Sequence, residues 1–331
     1  MKSQLIIALT LLVSQLNAQC ILKTASLGDF KTISGKEIRN CTVAYRTIGK
    51  LNADKSNVVL WPTWYQGKSN IICNGIASMM MDTTGLYIIV VDALGNGVSS
   101  SPSNNLGFPE ITIRDMVNSQ YTLLTKHMAI NHVKAVIGIS MGGMQTMEWL
   151  VAYPSFLDLA ISIVGTPNQS AYDLMLWKTD AALLTTAGEN EISKEAALRM
   201  VSNVDLLNRY TPSYWFHTIK PEKVDSLLLA EQANILNSIK PDDNLCQLNA
   251  MIGHDIYKSS GKELGAMKEV IKAKVLMIVS KSDHMVNPGN SIELSNVIGA
   301  KLVQLENDGG HMGILFEVAL VKDEVTRFLK K

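Results

Sequence analysis

Nothing in the charge of this chain singles out a polyanion or a membrane surface as its partner. Thirty Lys and Arg balance thirty Asp and Glu, and no basic block appears. That argues against nucleic acid or anionic lipid held by bulk electrostatics. Cysteine is scarce as well. Cys20, Cys41, Cys73 and Cys246 include no C-x-x-C pair, too few and too scattered for a disulfide scaffold or a zinc site. They remain compatible with disulfides in an oxidising compartment, and a Cys20–Cys41 bridge between N-terminal strands is one pairing the sequence permits. The six histidines contain no i, i+4 pair, so no metal site is implied. Gly95-Asn96-Gly97 reads as a turn that does not complete a dinucleotide fingerprint, and no phosphate-cradling loop appears, so no cofactor is expected. What remains is an ordinary globular composition, 47% hydrophobic over 331 residues, enough for one large α/β domain or two smaller ones.

The N-terminus stands apart. MKSQLIIALTLLVSQLNAQ has one early cation, an apolar run from Leu5 to Val13, and Leu16-Asn17-Ala18 as a small-residue cleavage signal. Residues 1–18 therefore read as a secretory signal peptide, too short to span a bilayer. Cleavage there would start the mature chain near Gln19, remove Lys2 and leave a net charge of about −1. A lipidated Cys20 is the lesser alternative, because Gln19 occupies the place where lipidation signals want a small residue. The expectation is an exported protein with no membrane attachment once the signal is removed.

Further along, Phe30–Ile33, a Ser34–Glu37 turn and Thr42–Ile48 read as a hairpin. Apolar, β-branched runs then recur at Asn57–Pro62, Tyr87–Asp92, Val133–Ser140, Leu157–Gly165, Lys274–Ser280 and Lys301–Glu306. Helical spacing connects them at Ile111–Ala129, Gly142–Tyr153 and Ile292–Ile298. Runs apolar on both faces belong to a parallel sheet covered by helices on each side, so the fold class is α/β. The alternation breaks between about Asn168 and Lys258, where Leu174–Leu184, Lys194–Leu207 and Val224–Ile239 have helical patterns and no strand is evident. Residues 168–258 therefore read as a helical cap inserted between core strands, with 19–167 and 259–331 forming the catalytic domain. A buried helical layer with no part in binding is the plainer alternative.

The stretch VIGISMGGMQTMEWLVAYP places Ser140 where an apolar run gives way to an amphipathic one. Gly138-Ile139-Ser140-Met141-Gly142 fits G-x-S-x-G, in which a strained serine sits between a strand and a helix. Alone, the pattern also describes a glycine-rich turn. A serine hydroxyl needs a base to take its proton and an acid to hold that base in the right tautomer. In this class of elbow the acid and then the histidine follow the serine in sequence. Only His284 and His311 lie beyond both Ser140 and the cap. Asp283, in the loop after KVLMIVS, is the candidate acid. His311, in the loop Asn307-Asp308-Gly309-Gly310 after KLVQLE, is the candidate base. His284 then reads as a loop residue, and Asp308 as the second choice of acid. Two oxyanion donors are also required. One is the Met141 N–H at the helix start. The other is expected after Asn57–Pro62, at Trp64, with Thr63 or Tyr65 as alternatives. Met79, Met80, Met81, Met175 and Trp177 are candidates to line a pocket, although core packing is the commoner fate of such side chains.

GISMGGMQTMEWLVAYP resembles the elbow region of the homoserine O-acetyltransferase family within the α/β-hydrolase superfamily. Ala44-Tyr45-Arg46-Thr47-Ile48-Gly49-Lys50-Leu51-Asn52, Asp92-Ala93-Leu94-Gly95-Asn96-Gly97 and Ile113-Arg114-Asp115 are similar too. The resemblance covers about Phe30–Thr166 and Ala273–Leu329. It implies an α/β-hydrolase fold, the triad Ser140, Asp283 and His311, and transfer of acetyl from acetyl-CoA to the homoserine hydroxyl. Three features depart from that family: the export signal, a short cap without the arginine and tyrosine pattern that holds homoserine, and Pro62-Thr63-Trp64-Tyr65 where a histidine-containing stretch is usual.

Two enzyme readings follow, both on a small-molecule acyl substrate. Water completes the reaction in a hydrolase, and an alcohol completes it in an acyltransferase. Export favours water, because coenzyme A thioesters are scarce outside the cytoplasm, whereas the resemblance favours transfer. The reading adopted is hydrolysis of a small ester or related acyl compound. A binding protein on a hydrolase scaffold would lack a triad member, and none is missing. A homodimer is possible.

Overall fold

The computed structural model describes residues 20–187 and 192–331. The signal-peptide reading of residues 1–18 falls outside them. Eight strands form one sheet in the order β1-β2-β4-β3-β5-β6-β7-β8. They are β1 (Lys23–Lys31), β2 (Glu37–Gly49), β3 (Val58–Pro62), β4 (Tyr87–Val91), β5 (Val133–Ile139), β6 (Leu157–Ile163), β7 (Lys274–Ser280) and β8 (Lys301–Leu305). The β1–β2 and β2–β4 pairs are antiparallel, and all others are parallel.

The apolar runs explain the layering. Along β3, Val58 and Leu60 enter one core cluster while Val59 and Trp61 enter the other. Adjacent strand residues point to opposite faces, so a run apolar at every position buries both faces under helices. The expected hairpin pairs Phe30 with Ile38, but β1 starts seven residues earlier than Phe30, with a register irregularity at Gly28.

Helix α1 (Ile113–Thr122) begins at a capping box in which Thr112 and Asp115 satisfy each other's amides. Helix α2 (Met141–Ala152) follows β5 directly and is buried over its first ten residues. Between β6 and β7 the described chain has only helices: α3 (Ala171–Thr186), α4 (Lys194–Arg209), α5 (Pro212–Thr218), α6 (Val224–Ser238), α7 (Pro241–Ile252) and α8 (Ile256–Ser260), with short 3₁₀ and helical turns. An Asn168–Asp255 bridge ties the chain before α3 to the chain after α7. Helices α9 (Gly289–Ile298) and α10 (Val318–Leu329) complete the chain.

One disulfide joins Cys20 to Cys73, and Cys41 is a buried free thiol. The Cys20–Cys41 pairing is thereby corrected. Cys41 faces the core from β2 at zero exposure, whereas Cys73 lies on a helical turn after β3. Of the pocket candidates, Met80, Met81 and Trp177 are buried in the core, and Met175 is exposed.

Candidate active site

The parallel strands all end on one edge of the sheet, and the loops leaving that edge bring three distant side chains together. Ser140 sits between β5 and α2 with φ +56° and ψ −123°, a region costly for a residue with a Cβ. Its neighbours have to be small. A Cβ on Gly138 would lie 2.0 Å from the Gly142 carbonyl oxygen, so strand and helix meet too closely for any larger residue.

His311 reaches Ser140 from the loop after β8. Its Nε2 lies 3.0 Å from Ser140 Oγ, and its Nδ1 lies 2.7 Å from Asp283 Oδ2. Gly310 permits the approach with φ +62°, and a Cβ there would press on the backbone of Arg209 and Tyr210. Asp283 follows β7. Its Oδ1 accepts from the amides of Met285 and Val286, both at 2.9 Å, leaving Oδ2 for the imidazole. Asp283 and His311 are 4% and 8% exposed, so this charge-assisted link is shielded from water. Asp308 faces elsewhere, where Ser213 donates to its carboxylate at 2.7 Å. His284 lines an apolar cavity of about 670 Å³ walled by Leu206, Leu207, Trp215, Ile219 and Leu227.

The loop after β3 lies against the first turn of α2. The Thr63 amide is committed to the Val91 carbonyl at 3.0 Å, which removes Thr63 from the candidate donors. No acceptor for the Trp64 amide is found among the described residues. Met141 opens α2, where first-turn amides have no intrahelical acceptor.

Beside this loop helices α3 and α4 contribute an acidic pair, Asp180 and Asp205, that sequence reasoning missed. Asp205 Oδ2 lies 3.4 Å from Gln66 Nε2. Burial raises its carboxyl above the ordinary range, a rise the Arg209 guanidinium only partly offsets. Burial, reinforced by the Asp205 charge, pushes Asp180 up to about 8. Burial first, then Asp205, also raises the Tyr65 phenol, whose hydroxyl donates to Asn244 at 2.6 Å. An acid in a helix between β6 and β7 has no spacing relation to an elbow far away in sequence, so no local signal pointed to it. Among the described residues no cluster of side chains has the make-up of a metal site, and no helix is long and apolar enough to cross a membrane.

Comparison with known proteins supplies context for this geometry. Residues 76–318 match the model of the alpha/beta hydrolase fold family. A probable esterase of Corynebacterium glutamicum is 30% identical over 90% of this chain and 91% of its own length. A homoserine O-acetyltransferase of Methanosalsum zhilinae is 26% identical over 91% of this chain, but over 71% of its own length. The crystal structure of an acetyl esterase superposes with a TM-score of 0.85 at 25% identity, covering 94% of this chain and 97% of that one.

Proposed function

Because the chain belongs to the α/β-hydrolase fold family and is an acyl-transfer enzyme with homoserine O-acetyltransferase-like relatives, we propose that it hydrolyses a small acetate-type ester through Ser140, His311 and Asp283. The observation that carries this reading is the continuous link from Ser140 Oγ through both imidazole nitrogens to Asp283. His311 Nε2 takes the serine proton as Oγ attacks the ester carbonyl. Asp283 keeps the proton on Nδ1 and stabilises the imidazolium that forms. The Met141 and Trp64 amides donate to the developing oxyanion. The tetrahedral intermediate collapses to an acyl-serine, and the alcohol leaves with the proton from His311. Water then repeats the attack, returning the acid and free Ser140.

Water is preferred to an alcohol as the second nucleophile because this chain matches the esterases over nearly their whole lengths, whereas the acetyltransferase is longer. The elbow resemblance supports the other reading, transfer of acetyl to an alcohol such as homoserine. We further propose that residues 1–18 direct export. The Cys20–Cys73 disulfide, which suits an oxidising compartment, supports that proposal.

The test is acetyl release by the chain from Gln19, using p-nitrophenyl acetate and acetyl-CoA, each with and without homoserine. Ester turnover that ignores homoserine, with an acetyl group trapped on Ser140 and no activity in Ser140→Ala, is the expected result. O-acetylhomoserine formed from acetyl-CoA would overturn hydrolysis, and an active Ser140→Ala would overturn the whole mechanism. Export is checked by expressing the full chain and sequencing the N-terminus of the released protein. Retention with Met1 intact would refute it.

A further inference from the structure

We propose that Gln145 is a positioning residue that fixes the direction of the Trp64 N–H and so sets the second half of the oxyanion hole. This inference rests on the esterase mechanism above and adds a residue outside the triad to it.

Gln145 is fully buried on α2, one turn beyond Met141. Its Nε2 donates to the Thr63 carbonyl at 2.9 Å and to the Met141 carbonyl at 3.3 Å. Its Oε1 accepts from Gln120 Nε2 at 2.6 Å, and Gln120 Oε1 accepts from the Trp149 indole at 2.8 Å. The direction of this chain is unambiguous. An indole N–H only donates and a backbone carbonyl only accepts, so neither glutamine can be flipped without opposing like atoms. All members are at zero exposure, which makes a mismatch expensive.

The consequence lies in the peptide between Thr63 and Trp64. In a trans peptide the C=O and N–H point in opposite directions, and no cis bond occurs among the described residues. Gln145 draws the Thr63 oxygen along α2, away from the elbow. The Trp64 N–H is thereby turned back towards the end of the helix where Ser140 and the Met141 amide lie. Thr63 cannot rotate to escape. Its amide is held by Val91, and its hydroxyl accepts from the Ala93 amide at 3.0 Å. The loop also abuts the elbow directly, since a Cβ on Gly142 would meet the Pro62 oxygen at 2.7 Å. Gln145 therefore ties the two oxyanion donors to one rigid frame.

Gln145→Met keeps the length of the side chain and removes its donor. Loss of an oxyanion donor lowers kcat by about 10²–10³-fold. A donor present but misdirected should cost about 10- to 100-fold, with KM for p-nitrophenyl acetate within about twofold. Affinity for a trifluoromethyl ketone, which forms a tetrahedral adduct with the serine, should fall by the same factor as kcat. A merely structural glutamine would not link those two losses. An unchanged kcat, a rise in KM alone, or a fall in kcat without loss of ketone affinity would each overturn the proposal. If Gln145→Met does not fold, Gln120→Met decides. It frees Gln145 to flip, and should lower kcat and ketone affinity together by about 3- to 10-fold. An unchanged Gln120→Met would then refute the clamp. Ser140→Ala run alongside separates the two readings: an inactive Ser140→Ala beside an unchanged Gln145→Met fails the clamp alone, whereas an active Ser140→Ala fails the mechanism and the clamp with it.

Discussion

Replacing Asp283 by Asn tests the tautomer argument directly, because the structure dictates how the amide must sit. Oδ1 already accepts from two backbone amides at 2.9 Å. An Asn that turned its NH₂ towards them would face two donors with a donor, in a site only 4% exposed. The amide oxygen must therefore keep that place, and the NH₂ must point at His311 Nδ1. That nitrogen then has to accept, so the imidazole proton moves to Nε2, facing Ser140. A histidine protonated there cannot take the serine proton. The expected loss in kcat is about 10⁴-fold, corresponding to about 5.5 kcal/mol of transition-state stabilisation. KM and melting temperature should stay near those of the parent, since shape and hydrogen-bond count are preserved. The assay is steady-state hydrolysis of p-nitrophenyl acetate beside a thermal melt, with Asp308→Asn as comparison. A loss smaller than about tenfold, or an equal loss in Asp308→Asn, would refute the reasoning.

Two further outcomes follow from buried groups. Asp180 is raised to about 8 in the folded chain from an ordinary 3.8, so the native state holds a proton that the unfolded chain has already released between those values. Its contribution to stability is therefore favourable below that window and is lost as pH rises through it. Asp180→Asn should accordingly stabilise the protein at pH 9 by about 1–3 kcal/mol, with the gain vanishing towards pH 4; denaturant melts at both pH values check the sign. The Cys20–Cys73 bridge spans 53 residues, and closing a loop of that size restricts the unfolded chain by about 4 kcal/mol. Cys73→Ser should melt lower than the parent, and reductant should erase the difference. Non-reducing peptide mapping that found Cys20 joined to Cys41 would contradict the pairing.

Much of this architecture was legible because it rests on local pattern. Runs such as VVLWP and VLMIV are apolar at every position, which marks strands buried on both faces. Ser140 was visible because the steric demand of the elbow appears as glycines two residues either side. Asp283 and His311 were visible through order and through their places just past strands. What escaped was decided by contact between distant segments. Gln145 bonds Thr63 across 82 positions and Gln120 across 25, and in the sequence it is one more polar residue on a helix. Helices α5 and α7 are not among the helical patterns read above, although each has Pro at its first position. The disulfide partner of Cys20 depended on which strand face Cys41 occupied.

The Asn168–Asp255 bridge has a consequence for how this protein can change. The bridge brings Asn168 and Asp255 together, so the segment carrying α3 to α7 leaves and rejoins the rest of the chain at almost one point. Its length and composition can be altered without moving any strand relative to another. Ser140, Asp283 and His311 hang from loops outside that segment, which meets the His311 loop where Ser213 donates to Asp308. Exchanging that segment is thus a two-point graft that has to keep this contact.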